Sequence, residues 1–294
     1  MLRLDALQPC LETAALLVGT ALAYAAGMWL QRSRHRFWAV GYLLPLLVIG
    51  MIGAARRVPR LEFIPPISWL VAGRIEFAAF GLSVALLGGI LCPRVLDRRL
   101  RGLIQLFGAA VLVSYSVYAF VMPALIAPRL EWLETGMDAN GICRQGTTFT
   151  CGPAAAVTAL RALGFAAEEG ELARLARTTP MMGTQGDLLA HAIRQRHHTA
   201  KLDCAYRYFD SLEALKGGGR TVVLMTSGLL SDHYVAILAV NADRVVLGDP
   251  LRGRREMSHA AFRAAWRRTG LVLKRVTTPP ASQYGLTGDG RGVR

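Results

Sequence analysis

The sequence predicts an all-α bundle of four transmembrane helices followed by an α+β domain. Three observations lead there. Four apolar runs fill residues 1–128, each near or above the ~20 residues that cross ~30 Å of hydrocarbon. Charged residues make up only 18% of the 294-residue chain and hydrophobic ones 53%, where a soluble globular chain carries about 25% charged residues. After Pro128 the texture changes to short apolar runs, charges of both signs and recurrent turn residues, the pattern of a water-soluble domain with helices and strands.

The apolar runs cover residues 11–30, 37–55, 67–92 and 103–127. The first is nearly free of charge after Glu12, and the arginines right after Leu30 suit a retained span better than a cleaved signal peptide. The second holds no charge. The third is interrupted by Arg74 and Glu76, which leaves two readings. Either the helix starts near Ile75 with Arg74 reaching to the interface, or the two residues form a buried polar pair. Arginine-rich loops separate the runs, with Arg32, Arg34 and Arg36, then Arg56, Arg57 and Arg60, then Arg94, Arg98, Arg99 and Arg101. The first and third loops carry 7 of these arginines and the opposite side 5 with Arg3 and Arg129. The positive-inside rule therefore sets both termini, and the second domain, on the non-cytoplasmic side.

Residues 129–142 read as a linker, 143–277 as the soluble domain and 278–294 as a disordered tail with little to bury. The net charge of +14 is spread over both halves, with 12 basic and 5 acidic residues in 1–128 and 22 and 15 in 129–294. With neither an aromatic–basic platform nor a recognition-helix pattern, no nucleic acid partner is expected. None of the five cysteines has C-x-x-C spacing, so no metal or redox motif is indicated. Cys143 and Cys204 could bridge if the domain faces an oxidising compartment. His191, His197 and His198 read as surface or core histidines, and Gly217-Gly218-Gly219 as a loop.

The chemistry is concentrated in two stretches. In QGTTFTCGPAAAVTALRALG (145–164), Pro153 suits a first helical turn and Gly164 a stop, so 152–163 reads as a helix. Ala156, Leu160 and Leu163 line one packing face. Cys151 then lies at the helix N-terminus, where the dipole and free amides favour a thiolate nucleophile; a small buried cysteine is the ordinary alternative. In HYVAILAVNADRVVLGDP (233–250), two apolar strands flank the turn Asn241-Ala242-Asp243, a β-hairpin. Symmetry about Asn241 would pair residue 233 with residue 249, so that Asp249 could orient the His233 imidazole. Taken singly, His233 also reads as a strand-end surface residue and Asp249 as a turn residue before Pro250. Gln145, six residues before Cys151, could donate a side-chain amide to a developing oxyanion, or be a polar loop residue.

Gln145, Cys151-Gly152-Pro153-Ala154, Gly183-Thr184-Gln185, Asp232-His233-Tyr234-Val235 and Asp249-Pro250 together resemble, in order and spacing, the peptidase C39 family. These are papain-like proteases that remove double-glycine leader peptides from exported peptides. The similarity covers roughly residues 140–275, including the segment Met257 to Trp266. The resemblance implies a papain-like cysteine peptidase domain with Cys151 as nucleophile, His233 as general base and acid, Asp249 as orienting group and Gln145 as oxyanion donor. No cofactor or metal is implied. Some relatives lack the cysteine and only bind peptide, so a non-catalytic module that delivers clients to a separate transporter stays open, as does acyl transfer to an amine. In the best-known relatives the peptidase precedes an ABC transporter. Here the apolar part comes first, and no G-x-x-x-x-G-K-[ST] loop is present, so that part reads as an anchor or substrate platform in a bacterial inner membrane. The expected partners are a peptide or protein substrate, the lipid bilayer and a separate export transporter.

Overall fold

The computed structural model describes residues 4–32, 38–216, 219–228 and 231–276. The tail expected to be disordered, Arg34 and Arg36 of the first loop, and Gly217-Gly218 lie outside the described residues. The apolar part begins with α1 (Leu4–Arg32) and α2 (Trp38–Arg57). A connector follows, with a 3-10 turn at Pro59–Phe63 and the single turn α3 (Ile67–Leu70). Then come α4 (Ile75–Leu91) and α5 (Arg98–Val111). Helix α5 passes through a π-helical turn, Leu112–Val117, into α6 (Tyr118–Glu131). Among the described residues, three helices are long and apolar enough to cross a membrane: Cys10–Arg32, Ile75–Arg94 and Arg98–Glu131. The sequence expectation was four, the other being the run in the 20-residue α2.

The third apolar run is not one helix. It breaks at a turn where Gly73 takes φ +54°, and α4 starts at Ile75 as expected, but Arg74 does not reach out to the interface, its side chain being only 11% exposed. Arg74 and Glu76 do not pair with each other, because residues two apart on a helix point to different sides. Arg74 instead pairs with Glu12 of α1 and lies 3.9 Å over the Phe120 ring. Glu76 is buried and accepts two hydrogen bonds from Arg56, at 3.0 and 2.6 Å, and one from the Tyr115 hydroxyl at 2.6 Å. Its charge is thereby matched inside the bundle. Helices α1 and α4 touch backbone to backbone. A Cβ on Gly27 would run into the Leu86 carbonyl, and one on Gly89 into the Tyr24 carbonyl, the close approach that small residues permit in membrane bundles.

The sequence boundary at Pro128 falls inside α6, and the stretch read as a linker is ordered. It carries the end of α6 and then β1 (Gly136–Met137), which pairs with β2 (Cys143–Arg144). Between these strands Asp138 accepts the amides of Asn140 (2.9 Å) and Ile142 (3.0 Å). Three helices follow: α7 (Cys151–Ala162), α8 (Glu169–Leu175) and α9 (Gly186–Arg196). Next come β3 (Leu202–Tyr208), β4 (Arg220–Thr226), β5 (Asp232–Val240), β6 (Arg244–Asp249), β7 (Gly253–Ser258), α10 (His259–Ala265) and β8 (Trp266–Arg275). Strands β3–β8 form a six-stranded antiparallel sheet in the order β3-β8-β4-β5-β6-β7. Alternate residues go to opposite faces. Val222, Tyr234, Leu271 and Leu273 meet α7 and α9, while Val223, Val235, Ile237 and Val272 meet Phe262 and Trp266 on the other side. The domain is therefore α+β with two apolar layers.

This domain packs on the α2–α4 connector and the adjoining helix ends. The Gly73 amide donates to Asp187 (2.5 Å), the Tyr206 hydroxyl to Glu62 (3.1 Å), and Arg267 to the Arg56 carbonyl (2.7 Å). Arg177 joins Arg74 on Glu12, the Phe63 ring lies 5.2 Å from that of Tyr206, and Met182 packs into the cluster of Leu16, Phe77 and Phe120. Polar and apolar contacts from five separate segments hold it. A first test concerns the α1–α4 contact. Gly89→Val should lower the thermal midpoint of the detergent-solubilised protein by ~5 °C or more, as overpacking does. Gly50→Val, at a site where a Cβ meets nothing within 4 Å, should leave it unchanged. Equal midpoints for the two variants would contradict this packing.

Candidate active site

Helix α7 puts Cys151 at the rim of the domain core. Ala154, Ala155, Ala156 and Leu160 are fully buried, so small side chains let the helix sink into the sheet. Its end is fixed by a Schellman arrangement: Phe165 N–H donates to the Leu160 carbonyl (3.0 Å) and Gly164 N–H to that of Arg161 (2.9 Å), with Gly164 at φ +79°. The first bond of the helix runs from Ala154 N–H to the Thr150 carbonyl (3.0 Å), and Pro153 has no N–H. The amides of Cys151 and Gly152 thus open from the helix start. The helix begins one residue earlier than expected, with Cys151 as its first residue. Cys151 is partly exposed, whereas Cys92, Cys143 and Cys204 are buried. Burial pushes the Cys143 and Cys204 thiols up to about 12. Both are free, so the conditional bridge between them does not form.

The hairpin brings His233 and Asp249 together by a different register from the one expected. Its partners are Val240↔Val245 and Ala239↔Val246, then, past a bulge, Ile237↔Leu247 and Ala236↔Gly248. Continued, this sets Val235 opposite Asp249, with His233 two residues farther along. A slip of two residues leaves every side chain on the same face, because the side-chain period is two. Diagonal neighbours also remain within reach of long side chains. His233 Nε2 accordingly lies 2.9 Å from Asp249 Oδ1. The ring's other nitrogen, Nδ1, is left for the Cys151 thiol, which is a hydrogen-bond and charge partner of the imidazole.

Asp249 is buried and richly donated to. Besides His233, it accepts from the amides of Leu251 (2.9 Å) and Arg252 (3.3 Å) and from Arg255 (3.3 Å). Burial opposes its charge, but the bonds from His233, Leu251 and Arg255 and the charge of His233 outweigh it, holding the carboxyl well below the usual carboxylate range. Burial likewise opposes the His233 imidazolium. Its bonds and charge interactions with Asp249 and Cys151 overcome that and push the ring up to about 9.

Gln145 is fixed in the loop before Cys151. Its backbone N–H donates to the Pro250 carbonyl (3.1 Å) and its side-chain amide to the Thr147 carbonyl (2.6 Å). Its Oε1 is buried without a hydrogen-bond partner among the described residues. One amide hydrogen is thus committed inside the loop, and a second remains on the same nitrogen. The loop itself hangs on a residue that the sequence reading missed. Buried Glu169 accepts the Gly146 amide on both oxygens (2.9 and 3.2 Å), and burial raises its pKa. Within the run Glu168-Glu169-Gly170-Glu171 nothing distinguished it from a solvated charge. Arg255, the cation on Asp249, was equally unmarked among the arginines of the C-terminal third.

The motifs meet at Gly152. A Cβ there would lie 3.1 Å from Thr184 Cβ and 3.2 Å from Tyr234 Cδ2, so the residue after Cys151 is wedged between the segments Gly183-Gln185 and His233-Val235. His197, buried, packs its ring 5.6 Å from that of Phe165, away from this cluster.

The pH behaviour follows from the two shifts. His233 has a folded pKa above its unfolded value of 6.5, so its contribution is full below about 6.5 and is lost as pH rises through about 9. Asp249 has a depressed pKa, so its contribution is present above 3.8 and is lost as pH falls toward its folded value. Carbon-13 NMR of labelled histidine should place the His233 midpoint near 9. Asp249→Asn should lower that midpoint by about 1–2 pH units; an unmoved midpoint would contradict the pairing.

The match to the Peptidase C39 family spans residues 140–278. A protein of Methanothermobacter marburgensis is 30% identical over 149 residues, which is 46% of this chain and 88% of the relative. One of Methanothermobacter thermautotrophicus is 28% identical over 145 residues, 49% of this chain and 94% of the relative. Among solved structures, the peptidase domain of Streptococcus ComA, a bi-functional ABC transporter involved in quorum sensing, is 19% identical. The match covers 45% of this chain and 96% of that one, with a TM-score of 0.41. A double glycine motif protease from an AMS/PCAT transporter, in complex with its leader peptide, is 14% identical over 49% of this chain and 94% of its own, with a TM-score of 0.40. The order and placement of the Cys151, His233 and Asp249 segments and the family match agree: this chain belongs to the peptidase C39 family.

Proposed function

We propose that the chain is a membrane-anchored cysteine endopeptidase acting on leader-bearing or membrane-associated polypeptides, with cleavage after a double glycine. One observation carries this reading: His233, held by Asp249 at 2.9 Å, has the Cys151 thiol as its other partner. The Cys151 sulfur attacks the scissile carbonyl while His233 holds the thiol proton. The amides opening α7 and the free hydrogen of the Gln145 amide stabilise the oxyanion. As the C–N bond breaks, His233 Nδ1 passes its proton to the leaving amine. It then takes a proton from water, whose oxygen displaces the sulfur and releases the acid product. Asp249 keeps Nε2 protonated throughout and fixes the ring tautomer.

The apolar helices supply the anchor, with α2 as the fourth span beside the three long apolar helices. The arginine count sets the peptidase domain on the non-cytoplasmic side. Large apolar side chains such as Leu22, Trp29, Leu43, Leu47 and Phe107 face outward, which suits lipid and not water. Docking on the α2–α4 connector keeps the site close to the bilayer surface, so substrates tethered there are favoured by effective concentration.

Three variants test the reading with a double-glycine leader peptide. Cys151→Ala should abolish cleavage while leaving binding of the peptide intact, and Gln145→Ala should lower kcat about 100-fold with little change in KM. His233→Ala should be as inactive as Cys151→Ala, since residues acting as a unit are not additive. Undiminished cleavage by Cys151→Ala would remove Cys151 as the nucleophile, and binding without cleavage by the wild type would leave a peptide-binding module serving a separate export transporter.

A further inference from the structure

Away from the peptidase site, a cavity of about 380 Å³ opens between α1, α4 and the second half of α5, lined by Ala21, Tyr24, Ala85, Gly88, Gln105 and Gly108. Its walls are mainly apolar. Gln105 closes its polar end by donating to the Tyr24 hydroxyl at 3.3 Å. A Cβ on Gly108 would meet nothing within 4 Å, so the cavity is open space beside the α5 backbone.

The face of α5 that lines this groove is marked by Gln105, Gly108 and Leu112. At helical spacing that face continues toward the helix start through Arg101 and Arg98. Both arginines lie at the end remote from the peptidase domain. Neither they nor Arg99 pair with a carboxylate among the described residues; Asp97 spends its Oδ1 on the Arg99 and Leu100 amides (2.7 and 3.0 Å). An apolar groove ending in unneutralised guanidinium groups fits a molecule with a chain at one end and an anion at the other. One turn of helix about 10 Å wide and 5.4 Å long fills roughly 400 Å³, and the groove's empty space of about 830 Å³ holds two such turns at most, well short of a partner's spanning helix and wide enough for an acyl chain.

We infer that this groove binds one anionic phospholipid, its acyl chain along Gly88 and Gly108 and its phosphate on Arg98 and Arg101. The inference rests on reading these helices as membrane spans, and not on the peptidase chemistry. The full chain is reconstituted into vesicles of equal phosphatidylcholine and phosphatidylglycerol. Flotation with the vesicles reports the membrane reading by itself. Native mass spectrometry after detergent extraction then reports the lipid retained. Wild type should keep one phosphatidylglycerol about tenfold over phosphatidylcholine, the size expected for one to two arginines near a phosphate. Arg98→Gln with Arg101→Gln should bring that ratio close to one. Gly108→Leu should lose retention of either lipid, with an unchanged melting midpoint as the check on its fold. A chain that floats yet retains both lipids equally, or a double variant that keeps the preference, overturns the inference.

Discussion

Asp249 is a buried carboxylate that stays charged, and the site depends on it. Four donors converge on it: the His233 ring, the amides of Leu251 and Arg252, and Arg255. A carboxylate taken out of water without such partners would protonate. Glu169, also buried, is shifted the opposite way. It faces backbone and hydroxyl donors with no cation among them, and burial raises its pKa. The difference assigns the two groups different work. Asp249 takes up Nε2 of the His233 ring, which leaves Nδ1 for the Cys151 sulfur. Glu169 ties the Gln145 loop to α8, and the backbone bond from Gln145 to Pro250 ties the same loop to the turn beyond Asp249. The Cys151, His233 and Gln145 segments are thus braced through a few shared residues.

The elements that carry the candidate site were legible because short local signals marked them. The Pro153–Gly164 pair marked α7 to within a residue, and the turn at Asn241-Ala242-Asp243 marked the hairpin. The hairpin register was not legible. A bulge between Ile237 and Ala239 leaves no mark in a run of uniformly apolar residues. The face of His233 and Asp249 was nevertheless right, because a slip of two preserves it. Strands β3 and β8 escaped notice because their pairing is long-range: β8 sits between β3 and β4 although it is last in the chain.

The apolar part was readable by composition but not in its joints. A run of apolar residues records that a segment is buried in something, not where its helix breaks. The third run therefore hid the turn at Gly73, and the fourth hid the π-helical turn at Leu112–Val117. The docking of the two parts was invisible for the same reason. Glu12, Glu62 and Arg267 each look like ordinary surface charges until the fold sets Arg177, Tyr206 and the Arg56 carbonyl beside them. Those contacts make the apolar helices more than a tether, since they fix how the C-terminal domain sits on the connector.

The account stands on cooperation between one sulfur and one ring, and an active-site-directed label tests it most directly. A peptide ending in a glycyl-glycine diazomethyl ketone alkylates a thiol only when an adjacent imidazolium assists. The account predicts one label per chain, mapped to Cys151, and its loss in His233→Ala. Labelling spread over several of the five cysteines, or equal labelling of Cys151 without the imidazole, would contradict it.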